Sequence, residues 1–351
     1  MRTTIETLGS GIAMSLIVKY GKAALLLALA VGLGVGYAIG YYSGLSSTHP
    51  STTLLIDAAG TLQVPFNGIV NNVLRPQYST LSYNYIFEGS RLAANEITQA
   101  NKSFDIYASA DYKIIPEQLI PSHASWYIVF ASNAMTVLYT NHSRFAKEIT
   151  PDNWYQVITR PGVVVGVSNK DTDPSGAQAV IMLQLASLLY YQNSSYLYDQ
   201  LYVTKAAKNE LVIVPTETTL DAQLETGAVD YVLSYSSEAV SHKLQYLTLD
   251  SRVDLSNLTL ADWYAKANVT VSGKPMTGAP ILYDLTIPIN SPDSTMAIAF
   301  IKALFSTQGQ EILSANDLRP LNPVWIYNQS AVPSDIIQAI TQAGITIKDV
   351  T

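Results

Sequence analysis

The 351-residue chain contains no cysteine, which removes disulfides, thiol nucleophiles, cysteine-ligated metals and cysteine lipidation at once. Charge is also scarce: Asp, Glu, Lys and Arg make up 13% of the residues, against roughly 25% in an ordinary globular domain. The formal net charge is −7 and no basic stripe occurs, so the footprint of a nucleic-acid binder is missing. The four histidines lack the paired spacing of a metal site, and His142 in TNHSRF and His242 in VSHKL read as surface or core residues. Ser175 has no G-x-S-x-G context and no histidine placed to activate it. No covalent chemistry is expected of this chain. Internal repeats and low-complexity domains are absent as well.

What is present begins with apolar bulk. Apolar residues make up 48% of the chain, and tyrosine is abundant at 23. No charged residue occurs from Ala23 to Ile56, and the run 23–42, AALLLALAVGLGVGYAIGYY, has about the ~20 residues that span a bilayer. Arg2, Lys19 and Lys22 precede it, which places segment 1–22 in the cytoplasm by the positive-inside rule. The length favours a retained anchor over a cleaved signal peptide, whose apolar region is about 7–15 residues. Residues 43–52 form a Ser/Thr-rich tether, and everything after it is expected outside the cell. Six Asn-X-Ser/Thr sequons, at Asn101, Asn141, Asn193, Asn257, Asn268 and Asn328, agree with an extracytoplasmic and glycosylated surface.

Beyond the tether, short strand patterns alternate with helical ones, as in TLLIDAAG then VPFNGIVNNVL, and LSYNYIFEG then SRLAANEITQAN. This predicts an α/β fold with a mostly parallel sheet. Two longer strand-like segments, SWYIVFASNAMTVLYT and APILYDLTIPIN, suggest chain crossings between two lobes. The expected organisation is a first lobe from 53–130 and 285–351 and an inserted second lobe from 131–284. One long amphipathic helix is expected over SPDSTMAIAFIKALFSTQGQEIL. Ligands of such sheets sit beyond the carboxyl ends of the strands, so a cleft between the lobes is the expected binding site.

Four strand-to-helix turns carry suitable groups: Gly60–Thr61, Gly89–Ser90, Asp173 with Ser175 in DTDPSG, and Glu217 in PTETTL. Helix starts present backbone N–H groups to anions, and Ser or Thr adds a hydroxyl donor. Each alone is also an ordinary helix cap. The acids are the puzzle, because SNKDTDPSG puts Asp171 and Asp173 where an anion would be cradled.

AAGTLQVPF, FEGSRLAANEI, FDIYASADYKIIP, the stretch through SNKDTDPSGAQAV and ETTLDAQLETGAVDYVLSY together resemble the tungstate- and molybdate-binding proteins of ABC importers, particularly the archaeal type. The resemblance covers nearly all of residues 53–325. It implies a two-lobed, periplasmic-binding-protein-like fold whose cleft takes an oxyanion. In that family, hydroxyl and N–H donors hold the oxyanion, while two carboxylates approach its metal atom and raise its coordination from four towards six. Tungsten and molybdenum have room for such ligands; the sulfur of sulfate does not, so the acids exclude it.

Carried over, the resemblance implies ligand contacts from Thr61, Ser90, Asp173, Ser175 (through its backbone N–H), Glu217 and Tyr235, with Asp173 and Glu217 on the metal atom. Glu225 competes with Glu217, but it lies beside Gly227 at what reads as the far end of its helix, so Glu217 is preferred. No resident cofactor is implied. The expected partners are the oxyanion and an ABC permease, with no nucleic acid and a monomeric binding domain. Another small anion or ferric ion, or a sensor domain of the same fold, are the alternative readings.

Overall fold

The computed structural model describes residues 53–216 and 219–350. Residues 52–351 form one compact unit. The expected membrane segment 23–42 and Glu217 lie outside the described residues. Among those that are described, no helix is long and apolar enough to cross a membrane.

The described strands form two main sheets. The larger is built from β1 (Thr53–Ala59), β2 (Ser82–Glu88), β3 (Ile106–Ser109), β4 (Tyr127–Ser132), β12 (Leu282–Thr286), β13 (Arg319–Tyr327) and β14 (Ile347–Asp349), in the order β14-β13-β4-β12-β3-β1-β2. The smaller contains β5 (Met135–Tyr139), β6 (Val165–Ser168), β7 (Leu211–Val214), β8 (Tyr231–Tyr235) and β9 (Gln245–Tyr246), in the order β7-β6-β8-β5-β9. A hairpin of β10 (Asn268–Val271) and β11 (Lys274–Thr277) stands apart from both. This is the two-lobed α/β architecture expected from the alternation, but the sheets are mixed rather than mostly parallel: β12 runs antiparallel to β3 and β4, β13 to β4, and β5 to β8 and β9. Interior strands such as β4 (YIVFAS) and β6 (VGVS) are buried along their whole length and read as continuous small or apolar runs, because both faces are covered. Edge strand β2 (SYNYIFE) is only partly buried and mixes polar with aromatic residues.

Strand direction is what positions the site. In the large sheet β2 and β3 both run parallel to β1, so the turns after Ala59, Glu88 and Ser109 emerge at one edge. In the small sheet β7 and β8 run parallel to β6, with Ser168 in register with Val214, so the turns after β6, β7 and β8 also share an edge. Helices α1 (Gln63–Ile69), α2 (Ser90–Thr98), α3 (Pro174–Tyr191), α4 (Asp221–Glu225) and α5 (Ser236–His242) start from those edges. Helix α3 is buried around most of its circumference, which its apolar sequence AVIMLQLASLL permits.

Two local expectations change. SWYIVFASNAMTVLYT is not one strand: Asn133–Ala134 separates β4 from β5, and the Asn133 carboxamide accepts from the Ala134 N–H and donates to the Tyr283 hydroxyl. The helix over 294–315 is likewise two, α6 (Ser294–Phe305) and α7 (Thr307–Ala315). Ser306 breaks it with extended backbone and caps the second piece by accepting from the Gly309 N–H at 3.1 Å. A last helix, α8 (Ser334–Gln342), packs against α6.

Candidate functional site

At the edge of the large sheet, Thr61 is buried in the first turn after β1, and its hydroxyl lies 2.8 Å from the Tyr283 hydroxyl. Ser90 opens α2 but does not cap it; Gly89 occupies the cap position. Its buried hydroxyl instead accepts from the Ala110 N–H at 3.0 Å, and its proton remains available to a ligand. Arg91 follows and is paired with Asp111 at 2.9 Å, so that acid is offset by a guanidinium.

The opposing edge separates the two aspartates of SNKDTDPSG. Asp171 faces outward: it accepts from the Ser272 N–H at 2.6 Å and from Lys170, and these contacts hold its carboxyl below the ordinary range. It ties the turn to the tip of the β10–β11 hairpin. Asp173 is 1% exposed and caps α3, accepting from the Ser175 N–H at 2.9 Å, with Pro174 at the first helical position. The backbone donor expected of Ser175 is therefore engaged by Asp173 itself. The Ser175 hydroxyl lies 3.5 Å from that of Ser234 at the end of β8, one residue before Tyr235. Thr172 Oγ1 donates to the Pro215 carbonyl at 2.8 Å, which joins this turn to the one after β7.

The two edges are in contact. A Cβ on Gly89 would sit 2.4 Å from the Thr172 carbonyl oxygen and 3.1 Å from the Asp173 Cα and Cβ, so only glycine permits this approach. The structure thus brings Thr61, Ser90, Asp173, Ser175 and Tyr235 to facing edges. Glu217 lies outside the described residues; Thr216 before it is buried at the same edge. Glu225 is exposed at the last position of α4, and Gly227 follows with φ +74°.

Sequence reasoning missed the group that joins the edges. Asn133, between β4 and β5, donates from Nδ2 to Tyr283 Oη at 2.8 Å and to Ser237 Oγ at 2.7 Å, and it accepts from Ser236 Oγ at 3.2 Å. Tyr283 contacts Thr61 and meets Tyr235 edge to face, with ring centroids 6.2 Å apart. A hydrogen-bonded chain therefore runs from Thr61 through Tyr283 and Asn133 to the start of α5. The signal was a lone Asn inside an otherwise apolar buried segment.

Behind this edge lies Glu238, 1% exposed. Burial pushes its carboxyl well above the ordinary value, and the neighbouring Asp221 and then Asp173 add to the shift. Outside the contact, Arg91, Asp111, Lys113, Asp171, Ser272 and Met276 line part of an open cleft of about 930 Å³ between the large sheet's helices and the hairpin.

Comparison with known proteins gives a consistent picture. Residues 54–317 match the family model described as bacterial extracellular solute-binding protein. An uncharacterized solute-binding protein of Petrotoga mobilis is 36% identical over 289 residues, covering 81% of this chain and 88% of that one. The molybdate/tungstate-binding protein WtpA of Thermococcus kodakarensis is 31% identical over 325 residues, covering 86% and 91%. Among solved structures, the periplasmic molybdate-binding protein of Azotobacter vinelandii shares the fold at 15% identity, with a TM-score of 0.55 over 76% of this chain and 98% of that one. With three-quarters of its length matched by that model, the chain belongs to the bacterial extracellular solute-binding protein family.

Proposed function

We propose that this chain is the solute-binding component of an ABC importer and that it captures tungstate or molybdate between its two edges. Thr61, Ser90 and Tyr235, with backbone N–H groups of the helix starts, donate to the oxyanion's oxygens. Asp173 and Glu217 approach its metal atom. The oxyanion is cargo, and the protein is a binder rather than an enzyme.

The observation that carries this reading is Asp173: a carboxylate 1% exposed, pressed against the Gly89–Ser90 turn at an edge otherwise furnished with donors. Such a group repels an anion that offers only oxygen, but it ligates one whose central atom accepts further oxygen ligands. In the structure Asp173 Oδ1 accepts from the Ser175 N–H at 2.9 Å. Turning its carboxylate to the metal atom would release that N–H to an oxyanion oxygen, so one movement supplies both a ligand and a donor.

The same reading places the run 23–42 in the membrane, the binding lobes outside it as a monomer, and an ABC permease as the partner. Support comes from the apolar length of that run and from the family. Of the six sequons, Asn101, Asn141, Asn193 and Asn268 are exposed, which supports glycosylation there. The test is titration calorimetry of the full chain with tungstate, molybdate, sulfate and phosphate. Tungstate and molybdate should bind far more tightly; a tighter sulfate would remove the role given to the carboxylates.

A further inference from the structure

The second lobe holds a cluster that oxyanion capture does not use. Glu238 and His242 lie four residues apart on α5 and so share one helix face. Asp221 comes from α4, and one ligand atom from each of the three lies within 4.8 Å of the others. His242 Nδ1 is 3.3 Å from Asp221 Oδ2, and its Nε2 is 3.7 Å from Glu238 Oε1, so the ring stands between the two acids and would offer one of these nitrogens to an ion. Atoms bound about 2.0–2.2 Å from a tetrahedral ion stand about 3.3–3.6 Å apart, so the cluster has to contract from its present span for one ion to join all three residues.

A second observation points to a ligand. Glu238 is 1% exposed, and no N–H or hydroxyl donor reaches either of its carboxylate oxygens in hydrogen-bond geometry; Asp221 Oδ2 is in the same position. Among the described residues, no lysine or arginine pairs with either acid, and His242 is the basic side chain beside them. The Asp221 and Glu238 carboxyls face each other within hydrogen-bond reach, and such a buried pair is costly unless a proton or a cation joins it.

We propose that Asp221, Glu238 and His242 form a divalent-cation site in the second lobe, suited to a first-row transition ion of the Zn²⁺ class. The donor set of two hard oxygens and one imidazole matches such an ion, and the two carboxylates balance its charge. The His242 side chain is 34% exposed, which gives the ion an entry path and leaves its fourth position to water. None of the three residues is among those assigned to the oxyanion, although Glu238 lies close enough to Asp173 to feel its charge.

The test uses the full chain, treated with a chelator and free of oxyanion, titrated with Zn²⁺ by calorimetry and with Co²⁺ by visible absorption. One equivalent should bind, the melting temperature should rise, and Co²⁺ should give the visible bands of a four-coordinate site. Glu238→Gln and His242→Gln should each weaken binding by at least the roughly 10–100-fold that loss of even an outer-shell partner costs. His142→Gln, at an exposed position, should change nothing. Absence of saturable uptake overturns the proposal, and so does uptake that both substitutions leave intact. If Glu238→Gln shows no cooperative melt, the half-exposed His242→Gln decides alone.

Discussion

The two edges that meet at the site differ in kind. The first lobe brings hydroxyls, Thr61 and Ser90, and the Asp111 carboxylate is paired with Arg91 at 2.9 Å. The second lobe brings a buried carboxylate, Asp173, with Glu238 and Asp221 buried behind it. Donors bind any tetrahedral oxyanion, because all present the same oxygens. A carboxylate distinguishes among them, because only some have a central atom that accepts it. On the proposed function, the contrast implies a division of labour in which the first lobe sets affinity and the second selectivity. Closing the cleft makes the two act on one ligand.

The largest effect is expected from preventing that closure. Gly89→Ala puts a methyl group 2.4 Å from the backbone oxygen of Thr172, which no side-chain motion can relieve. All oxyanions should bind roughly a hundredfold more weakly, about 2.7 kcal/mol, with their order preserved. Small-angle scattering in saturating tungstate should show a more open protein; unchanged affinity would mean that the edges need not meet.

Next comes a first-lobe donor. Ser90→Ala should weaken tungstate and sulfate alike, by the ~1.5–3 kcal/mol of a hydrogen bond to a charged group. A selective loss of tungstate would show that the first lobe also discriminates.

The smallest effect on binding is expected from Asp57, buried within β1 away from the donors. Burial, with Glu88 and Glu96 adding, pushes its carboxyl up from 3.8 to about 8. The folded chain therefore keeps this proton up to about pH 8, whereas the unfolded chain loses it near pH 4. The unfolded state binds fewer protons across that window, so this contribution to stability falls as pH rises through it and is level above it. Asp57→Asn should raise the melting temperature at pH 8 more than at pH 5 and leave tungstate affinity unchanged. The slope is at most about 1.4 kcal/mol per pH unit. A larger gain at pH 5 would reverse the sign.

Much of this was legible in the sequence. Period-two and helical patterns alternate cleanly, and Gly, Ser, Thr and Asp mark the strand-to-helix turns, so the α/β class and the turns at the cleft follow from local chemistry. The hidden features depend on long-range partners. Asn133 bonds to Ser237 and Tyr283, 104 and 150 residues away, so the sequence shows a lone Asn in an apolar run but not what it bonds. His242 and Asp221 meet only when α4 and α5 pack. The split at Ser306 was readable in principle, since STQG is a capping sequence, but the amphipathic pattern running through it masked the break. The resemblance already implies Asp173 rather than Asp171, and the hairpin tip that claims Asp171 supplies the physical reason.

The central claim is that a second-lobe carboxylate chooses the anion. It is tested most directly by competing tungstate against sulfate on the wild-type chain and on Asp173→Asn, with Glu225→Gln as the exposed control. The amide keeps the cap's size but removes the charge and is a poorer ligand for a hard centre. The account predicts that Asp173→Asn weakens tungstate and strengthens sulfate, narrowing their ratio by roughly a hundredfold or about 2.7 kcal/mol, while Glu225→Gln leaves the ratio unchanged. A ratio that Asp173→Asn does not move would contradict it and leave a plain hydrogen-bonding anion site.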